Sequence, residues 1–205
     1  MESRSLVVLS AGLGQPSSTR LLADRLAGAA AAALAERGVT AQARTLELRE
    51  TARDVVDHLV TGLTSPGLRS ALDVVADADG VVAVSPVFAA SYSGLFKSFV
   101  DVLDRDVLTG VPVLVGATAG TQRHSLVLEH ALRPLFAHLR APVVPTAVFA
   151  APEDWGGQGG SSLALSARVL RAGGELADAV AARPARRPRD PFEDAPSFAD
   201  LLPGR

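Results

Sequence analysis

Short apolar runs alternate with longer amphipathic segments along most of the chain. The first run, residues 4–10, is continuous in apolar side chains at its centre, which is typical of a strand buried on both faces. Residues 19–37 then place Leu22, Leu26 and Leu34 on one helical stripe and stop at Gly38. The pattern therefore predicts strands and helices in alternation.

The same two periodicities predict the remaining elements. Strands are predicted at residues 4–10, 39–48, 80–85, 111–117 and 143–150. Helices are predicted at residues 19–37, 50–60, 67–77, 94–104, 125–140 and 163–182, with Pro134 kinking the fifth of them. Continuous apolar strands joined by helices predict an α/β fold: a doubly wound parallel sheet of five strands between two helical layers, the three-layer αβα arrangement.

In a doubly wound sheet, ligands bind beyond the carboxyl ends of the strands. Three loops fall there: residues 10–19, 86–94 and 117–124. The first joins a strand to a helix N-terminus, where unpaired N–H groups and the positive end of the helix dipole favour an anion. Hydroxyls of Ser17, Ser18 and Thr19 add neutral donors, so the loop is a candidate phosphate site. A helix cap followed by a turn explains the same residues without a ligand.

Two familiar phosphate motifs are absent from the first loop. A P-loop requires a lysine, which the loop does not contain. A dinucleotide fingerprint requires a third glycine where Ser17 stands, and Glu47 is too distant to be its ribose-binding acid. The loop therefore suits a phosphate held by hydroxyls and backbone N–H groups.

The second and third loops suit a flat ligand. Phe88 and Tyr92 could bracket a planar ring, with backbone N–H groups near Ser93 and Gly94 at its polar edge. The small residues of 117–121 allow a ring edge to approach the backbone closely. Alternatively, Phe88 belongs to the core and Tyr92 covers a surface gap.

Composition narrows the class of protein. The chain has 205 residues, 48% of them hydrophobic, a formal net charge of −2 and no cysteine. A near-neutral charge argues against nucleic acid as the main partner, and the missing thiols exclude disulfides, iron–sulfur clusters and thiolate catalysis. No targeting or membrane-spanning run is evident, so a cytoplasmic protein is expected. One domain is expected over residues 1–182, followed by a Pro/Arg-rich tail over 183–205.

Other chemistries find little support in the residues. The four histidines have no spacing of three or four, so a metal pair on one helix is not expected. No Gly-x-Ser-x-Gly elbow surrounds Ser91 or Ser93, which argues against a serine hydrolase. The single lysine, Lys97, precedes Asp101 by four residues and is predicted to pair with it on a helix. No catalytic side chain and no metal ligand is assigned.

Three motifs at these loops carry a family resemblance: Ser10 with Pro16-Ser-Ser-Thr-Arg20, Ser85-Pro-Val-Phe-Ala-Ala-Ser-Tyr-Ser-Gly-Leu-Phe-Lys-Ser-Phe-Val-Asp101, and Ala117-Thr-Ala-Gly-Thr-Gln-Arg-His124. Over residues 4–180 the chain resembles the NAD(P)H-dependent FMN reductases of the flavodoxin-like superfamily. It is most similar to those that supply reduced flavin to luciferase-like or alkanesulfonate-type monooxygenases. The middle motif is the most specific of the three.

The resemblance implies three groups of FMN-binding residues. Ser10, Pro16, Ser17, Ser18 and Thr19 would hold the phosphate; Pro86, Val87, Phe88, Tyr92, Ser93 and Gly94 would line the isoalloxazine; Thr118, Ala119, Gly120 and Thr121 would meet its pyrimidine side. The sequence departs from the family at Ala11–Gln15, where many relatives carry an arginine. Weaker holding of FMN would suit a flavin that leaves as product.

The activity implied is hydride transfer from NADPH or NADH to FMN, with a monooxygenase as possible partner and a homodimer or homotetramer as the assembly. Two rival functions stay open: an FMN-containing quinone or azo reductase, and a non-enzymatic flavin carrier or regulatory partner. The residues do not decide between NADPH and NADH.

Overall fold

The computed structural model describes residues 2–155 and 160–186. Five parallel strands form one sheet in the order β2-β1-β3-β5-β6, and a two-residue strand, β4, pairs antiparallel with the end of β3. The strands are β1 (Glu2–Ser10), β2 (Val39–Glu47), β3 (Gly80–Phe88), β4 (Ser91–Tyr92), β5 (Val113–Thr118) and β6 (Val148–Ala150). The predicted doubly wound parallel sheet is confirmed.

Six α-helices cover the two faces of the sheet within the described residues. They are α1 (Ser18–Glu36), α2 (Ala52–Thr61), α3 (Pro66–Ala76), α4 (Gly94–Asp101), α5 (Arg133–His138) and α6 (Gly160–Ala181). Helices α1 and α6 bury Leu22, Leu26 and Leu176 against one face, while α2 to α5 bury side chains such as Phe96 and Phe136 against the other. The three-layer arrangement follows from apolar strands that need cover on both sides.

The predicted strand at 143–150 is shorter in the structure. Val143 makes an isolated bridge to Val113, and the strand proper spans β6 alone. Pro145 lies between these two pieces and has no N–H to donate to the ladder. The apolar run was correctly placed in the sheet, but its proline interrupts the pairing.

The predicted helix at 125–140 is divided. A 3₁₀ turn spans Gln122–His124, a π-helical turn spans Leu128–Leu132, and α5 follows. Pro134 lies in the first turn of α5, so the irregular backbone immediately precedes the residue predicted to kink the helix. The other predicted elements agree with the structure to within about three residues at each end: β1 and α6 begin earlier than predicted, and β3 runs on to Phe88.

The chain after α6 begins on the body of the domain. Arg183 and Arg186 both contact the edge of the sheet where the strands start. Residues 187–205 lie outside the described residues, as do residues 156–159 before α6, so the boundary between domain and tail stays a prediction.

Candidate active site

A cavity of about 350 Å³ opens at the carboxyl edge of the sheet. All three predicted loops contribute to it. It is lined by Gly12, Leu13, Gly14, Pro16, Ser17, Ser18, Thr19, Pro86, Val87, Phe88, Thr118, Ala119, Gly120 and Pro152. The volume lies in the usual range for small-molecule sites, roughly 300–1,000 Å³. None of these lining residues carries a charge.

The first loop wraps the N-terminus of α1. Ser17 is the N-cap, and its Oγ accepts a hydrogen bond from the Arg20 N–H at 3.1 Å. Within the part of the chain that the structure describes, the N–H groups of Ser18 and Thr19 make no hydrogen bond. A Cβ on Gly12 would lie 2.1 Å from Ser17 Oγ, so the loop approaches the helix more closely than another residue allows. The result is a narrow cradle with free donors.

Thr19 connects the first loop to the third. Its hydroxyl lies 2.8 Å from the hydroxyl of Thr118, and both residues are buried. A buried hydroxyl pair fixes the positions of the two chain segments relative to each other because each partner would be costly to leave unpaired. The bond holds the two sides of the cavity together.

The second loop forms the outer lip. Phe88 is 48% exposed, and the turn after it places Ala89 and Ala90 at φ 47° and 67°, a region where alanine is disfavoured. Val87 pairs with Tyr92 across the short hairpin, and Phe88 pairs with Ser91. Phe88 and Tyr92 consequently lie on opposite faces of the hairpin. Phe88 lines the cavity and Tyr92 does not, and the bracketing of one ring by both side chains stays a prediction.

Two of the expected backbone donors already have partners. The Ser93 N–H donates to Ser85 Oγ at 2.9 Å, which in turn donates to the Pro86 carbonyl. The Ala119 N–H donates to the Ala150 carbonyl at 3.2 Å. Among the described residues, the N–H groups of Gly120 and Thr121 have no hydrogen-bond acceptor. Of the expected donors, the N–H groups of Gly94, Gly120 and Thr121 remain available to a ring edge, and Gly120 is the one of these residues that lines the cavity.

Most of the predicted binding residues line the cavity, and five do not. Those lining it are Pro16, Ser17, Ser18, Thr19, Pro86, Val87, Phe88, Thr118, Ala119 and Gly120. Ser10 is buried at the end of β1, Ser93 caps α4, Tyr92 packs on Phe96 with ring centroids 5.9 Å apart, Gly94 is exposed, and Thr121 caps a 3₁₀ turn. These five positions lie around the cavity rather than in its wall.

Four residues of the cavity wall are not among the predicted binding residues: Gly12, Leu13, Gly14 and Pro152. Gly12, Leu13 and Gly14 belong to the first predicted loop, residues 10–19. Pro152 follows β6, and the rule on carboxyl ends of strands applies to that strand as well. The same rule, applied to the residues after β6, predicts Pro152 as part of the site.

Charges lie just outside the cavity. Arg20 donates to both carboxylate oxygens of Asp24 and to Glu47, and these contacts, led by the hydrogen bond to Asp24, raise the pKa of Arg20 above its ordinary value. Lys97 Nζ lies 2.5 Å from Asp101 Oδ1, which confirms the predicted pair on α4.

The described residues contain no cluster of three potential metal ligands and no helix long and apolar enough to span a membrane.

The fold matches that of a solved structure. A flavodoxin, WrbA-like protein from Agrobacterium tumefaciens superimposes with a TM-score of 0.57 at 18% identity, covering 87% of this chain and 98% of that one, which shows a shared fold. The chain thus has a flavodoxin-like α/β fold.

The sequence of the chain shows which family it belongs to. A family model described as NADPH-dependent FMN reductase matches residues 5–156, so the chain belongs to that family of oxidoreductases. The NADH-dependent FMN reductase SfnE of Pseudomonas putida is 37% identical over 165 residues, 80% of this chain and 86% of its own length. An oxidoreductase structure from Corynebacterium diphtheriae is 46% identical with a TM-score of 0.86, covering 90% of this chain and all of that one. The family resemblance carried by the three loops is confirmed.

Proposed function

We propose that the chain reduces FMN with NADPH or NADH at the cavity between the three loops, and that it releases reduced flavin to a flavin-dependent monooxygenase. The observation that carries the proposal is the cavity itself. A neutral cradle with free N–H groups adjoins an apolar lip, and the two match the phosphate and the ring of one mononucleotide.

The phosphate is assigned to the first loop. Free N–H groups of Ser18 and Thr19 lie at the start of a 19-residue helix, where the helix dipole favours an anion. The Ser17 and Ser18 hydroxyls line the same cradle. No acidic residue lines it, so nothing in the wall repels a dianion.

The isoalloxazine is assigned to the second and third loops. Pro86, Val87 and Phe88 supply an apolar wall, and Gly120 supplies a free N–H at the opposite side. The remaining predicted residues, Ser10, Tyr92, Ser93, Gly94 and Thr121, belong to this proposal as neighbours that shape the loops. Ser93, for example, fixes the second loop through its bond to Ser85.

FMN, when bound, supplies the acceptor for a hydride from the nicotinamide. The chain's own residues bind and orient it, which is the main contribution a protein makes to such a transfer. The N–H groups of Gly120 and Thr121 can stabilise negative charge at the ring edge because their hydrogens have no other acceptor among the described residues. No side chain in the cavity wall is an acid or a base, so none is assigned to proton transfer.

The choice of nucleotide follows neither from the cavity nor from the relatives. The family is described by NADPH, whereas the relative from P. putida is named for NADH. A homodimer or homotetramer and a cytoplasmic location belong to the same proposal.

The test is an oxidation assay with NADPH and NADH in the presence of FMN, FAD, riboflavin or no flavin. Turnover that requires added FMN supports the proposal. Rapid quinone reduction by protein that keeps its flavin, without added FMN, would favour the quinone or azo reductase. Binding of FMN without oxidation of either nucleotide would favour a carrier.

A further inference from the structure

Glu47 lies between two arginines at the outer side of the first loop. Its Oε1 is 2.7 Å from Arg20 Nη1 and its Oε2 is 2.6 Å from Arg49 Nη2. The Glu47 and Arg49 side chains are only 18% and 21% exposed. Paired charges that are partly shielded from water interact more strongly than exposed pairs. Both oxygens of this carboxylate are thus committed to guanidinium groups.

Arg49 contacts not only Glu47 but also the first loop. With the Gln15 amide assigned so that its oxygen faces the guanidinium, that oxygen accepts from Arg49 Nη2 and Nη1 at 2.5 and 2.9 Å. Gln15 stands between Gly14 and Pro16, both of which line the cavity. The loop itself, residues 11–19, contains no basic side chain. Arg49 therefore brings a positive charge from the end of β2 to a loop that has none.

The two arginines differ in what they would retain without Glu47. Arg20 keeps Asp24, to which its Nε donates at 2.8 and 2.9 Å. Arg49 has Glu47 as its ion-pair partner among the described residues. Removing the carboxylate of Glu47 therefore leaves Arg49, and not Arg20, with an uncompensated charge beside the cradle.

We propose that Glu47 sets how tightly the chain holds FMN by withholding Arg49 from the phosphate. Neutralised by Glu47, Arg49 adds little to the field at the cradle, and the flavin is held by neutral donors. Such holding suits a flavin that must leave after reduction. The proposal rests on the assignment of the phosphate to the first loop.

The experiment is a set of equilibrium titrations of the full chain, following flavin fluorescence with FMN and, separately, with riboflavin. The variants are Glu47→Gln, Arg49→Met and the double variant carrying both. Glu50→Gln is the matched control because Glu50 is an exposed carboxylate three residues along the chain, so the change in net charge is the same. Urea unfolding of each variant shows whether the fold is intact.

We expect Glu47→Gln to bind FMN about tenfold more tightly than the wild-type chain. A tenfold change is near the lower end of the range expected from one additional hydrogen bond to a charged group. Riboflavin affinity should stay within about twofold, because riboflavin has no phosphate to meet the freed charge. Arg49→Met alone should change FMN affinity by less than about threefold, and the double variant should lose the gain, which isolates Arg49 as its source.

Three results would overturn the proposal: no tightening in Glu47→Gln, equal tightening for riboflavin, or equal tightening in Glu50→Gln. Failure of the proposed function gives a different result. If the wild-type chain binds FMN no better than riboflavin, the phosphate assignment itself is wrong, whatever the variants do.

Discussion

The two ends of the parallel sheet differ in how far their polar groups are hydrogen-bonded within the protein. At the amino end, charged side chains pair with backbone groups, and the only buried side-chain nitrogens left without a partner among the described residues are Arg4 Nε and Arg183 Nη1. At the carboxyl end, the cavity wall is neutral and several N–H groups have no acceptor among the described residues. Both ends are built from the same strands, so the difference lies in the connecting segments.

Asp79 is the centre of the amino end. Its two oxygens accept from the Ser5 N–H at 2.8 Å and the Arg186 N–H at 2.6 Å. Arg186 also donates to the Ala76 carbonyl at 2.7 Å, and burial lowers the pKa of its guanidinium. Arg4, which is 2% exposed, donates to the Arg183 carbonyl at 2.7 Å. This end ties the chain after α6 to β1.

We expect the amino end of the sheet to contribute to stability and the carboxyl end to contribute to ligand binding. Polar groups that are buried and paired hold a fold together, and losing one partner is costly. Polar groups left without partners at an open edge are available to a ligand. Changes at the amino end should therefore alter unfolding, and changes at the carboxyl end should alter flavin affinity.

The largest effect is expected for Asp79→Ala. It leaves the backbone N–H groups of Ser5 and Arg186 without their acceptor, so the free energy of unfolding in urea should fall by about 3 kcal/mol. FMN affinity should stay within about twofold. Asp73→Ala, an exposed carboxylate on α3, is the control. A weakened FMN site with normal stability would contradict the division between the two ends.

Gly12→Ala should have the next largest effect. The added Cβ meets Ser17 Oγ, which must rotate away from its cap on the Arg20 N–H. Loss of the cap should cost about 1 kcal/mol in unfolding, and distortion of the cradle should weaken FMN by about thirtyfold, a loss of about 2 kcal/mol. Gly28→Ala is matched to it, since a Cβ there meets nothing within 4 Å. Unchanged FMN affinity in Gly12→Ala would place the flavin elsewhere.

Replacing Ser17 and Thr19 together with alanine tests the phosphate through the difference between the two flavins. The double variant should weaken FMN about tenfold more than riboflavin, because only FMN presents a phosphate to this loop, whereas loss of the bond between Thr19 and Thr118 affects both flavins. Parallel titrations of the two flavins measure the ratio, with the exposed Thr40→Ala as control. Equal weakening of both flavins would be incompatible with a phosphate at this loop.

The smallest effect is expected for Gly94→Val. The protein leaves open space where the side chain would extend, so unfolding should change by less than about 0.5 kcal/mol. FMN and riboflavin should both weaken by about fivefold if the ring extends toward α4, a change of about 1 kcal/mol. Wild-type affinity for both flavins would show that the ring stops short of Gly94.

Local patterns in the sequence were sufficient for the layers and for the location of the site. Apolar runs marked each parallel strand, and loops at strand ends marked most of the cavity wall. The spacing of Lys97 and Asp101 predicted their pair because four residues on a helix share a face. Such features depend on neighbours in sequence.

Features that depend on distant residues could not be predicted in this way. The bond between Thr19 and Thr118 joins residues 99 positions apart, and Arg49 meets Gln15 through the pairing of β1 with β2. The commitment of the Ser93 N–H to Ser85 likewise depends on how the hairpin folds back. Each of these requires the tertiary arrangement that the strand order creates.

The central claim is that the carboxyl end of the sheet clasps one mononucleotide by its phosphate and its ring. The most direct measurement is a crystal structure of the full chain with FMN in large excess. We expect the phosphate against the N–H groups of Ser18 and Thr19, and the ring between the Pro86–Phe88 wall and Gly120. FMN ordered with its phosphate away from the first loop, or an empty cavity, would contradict it.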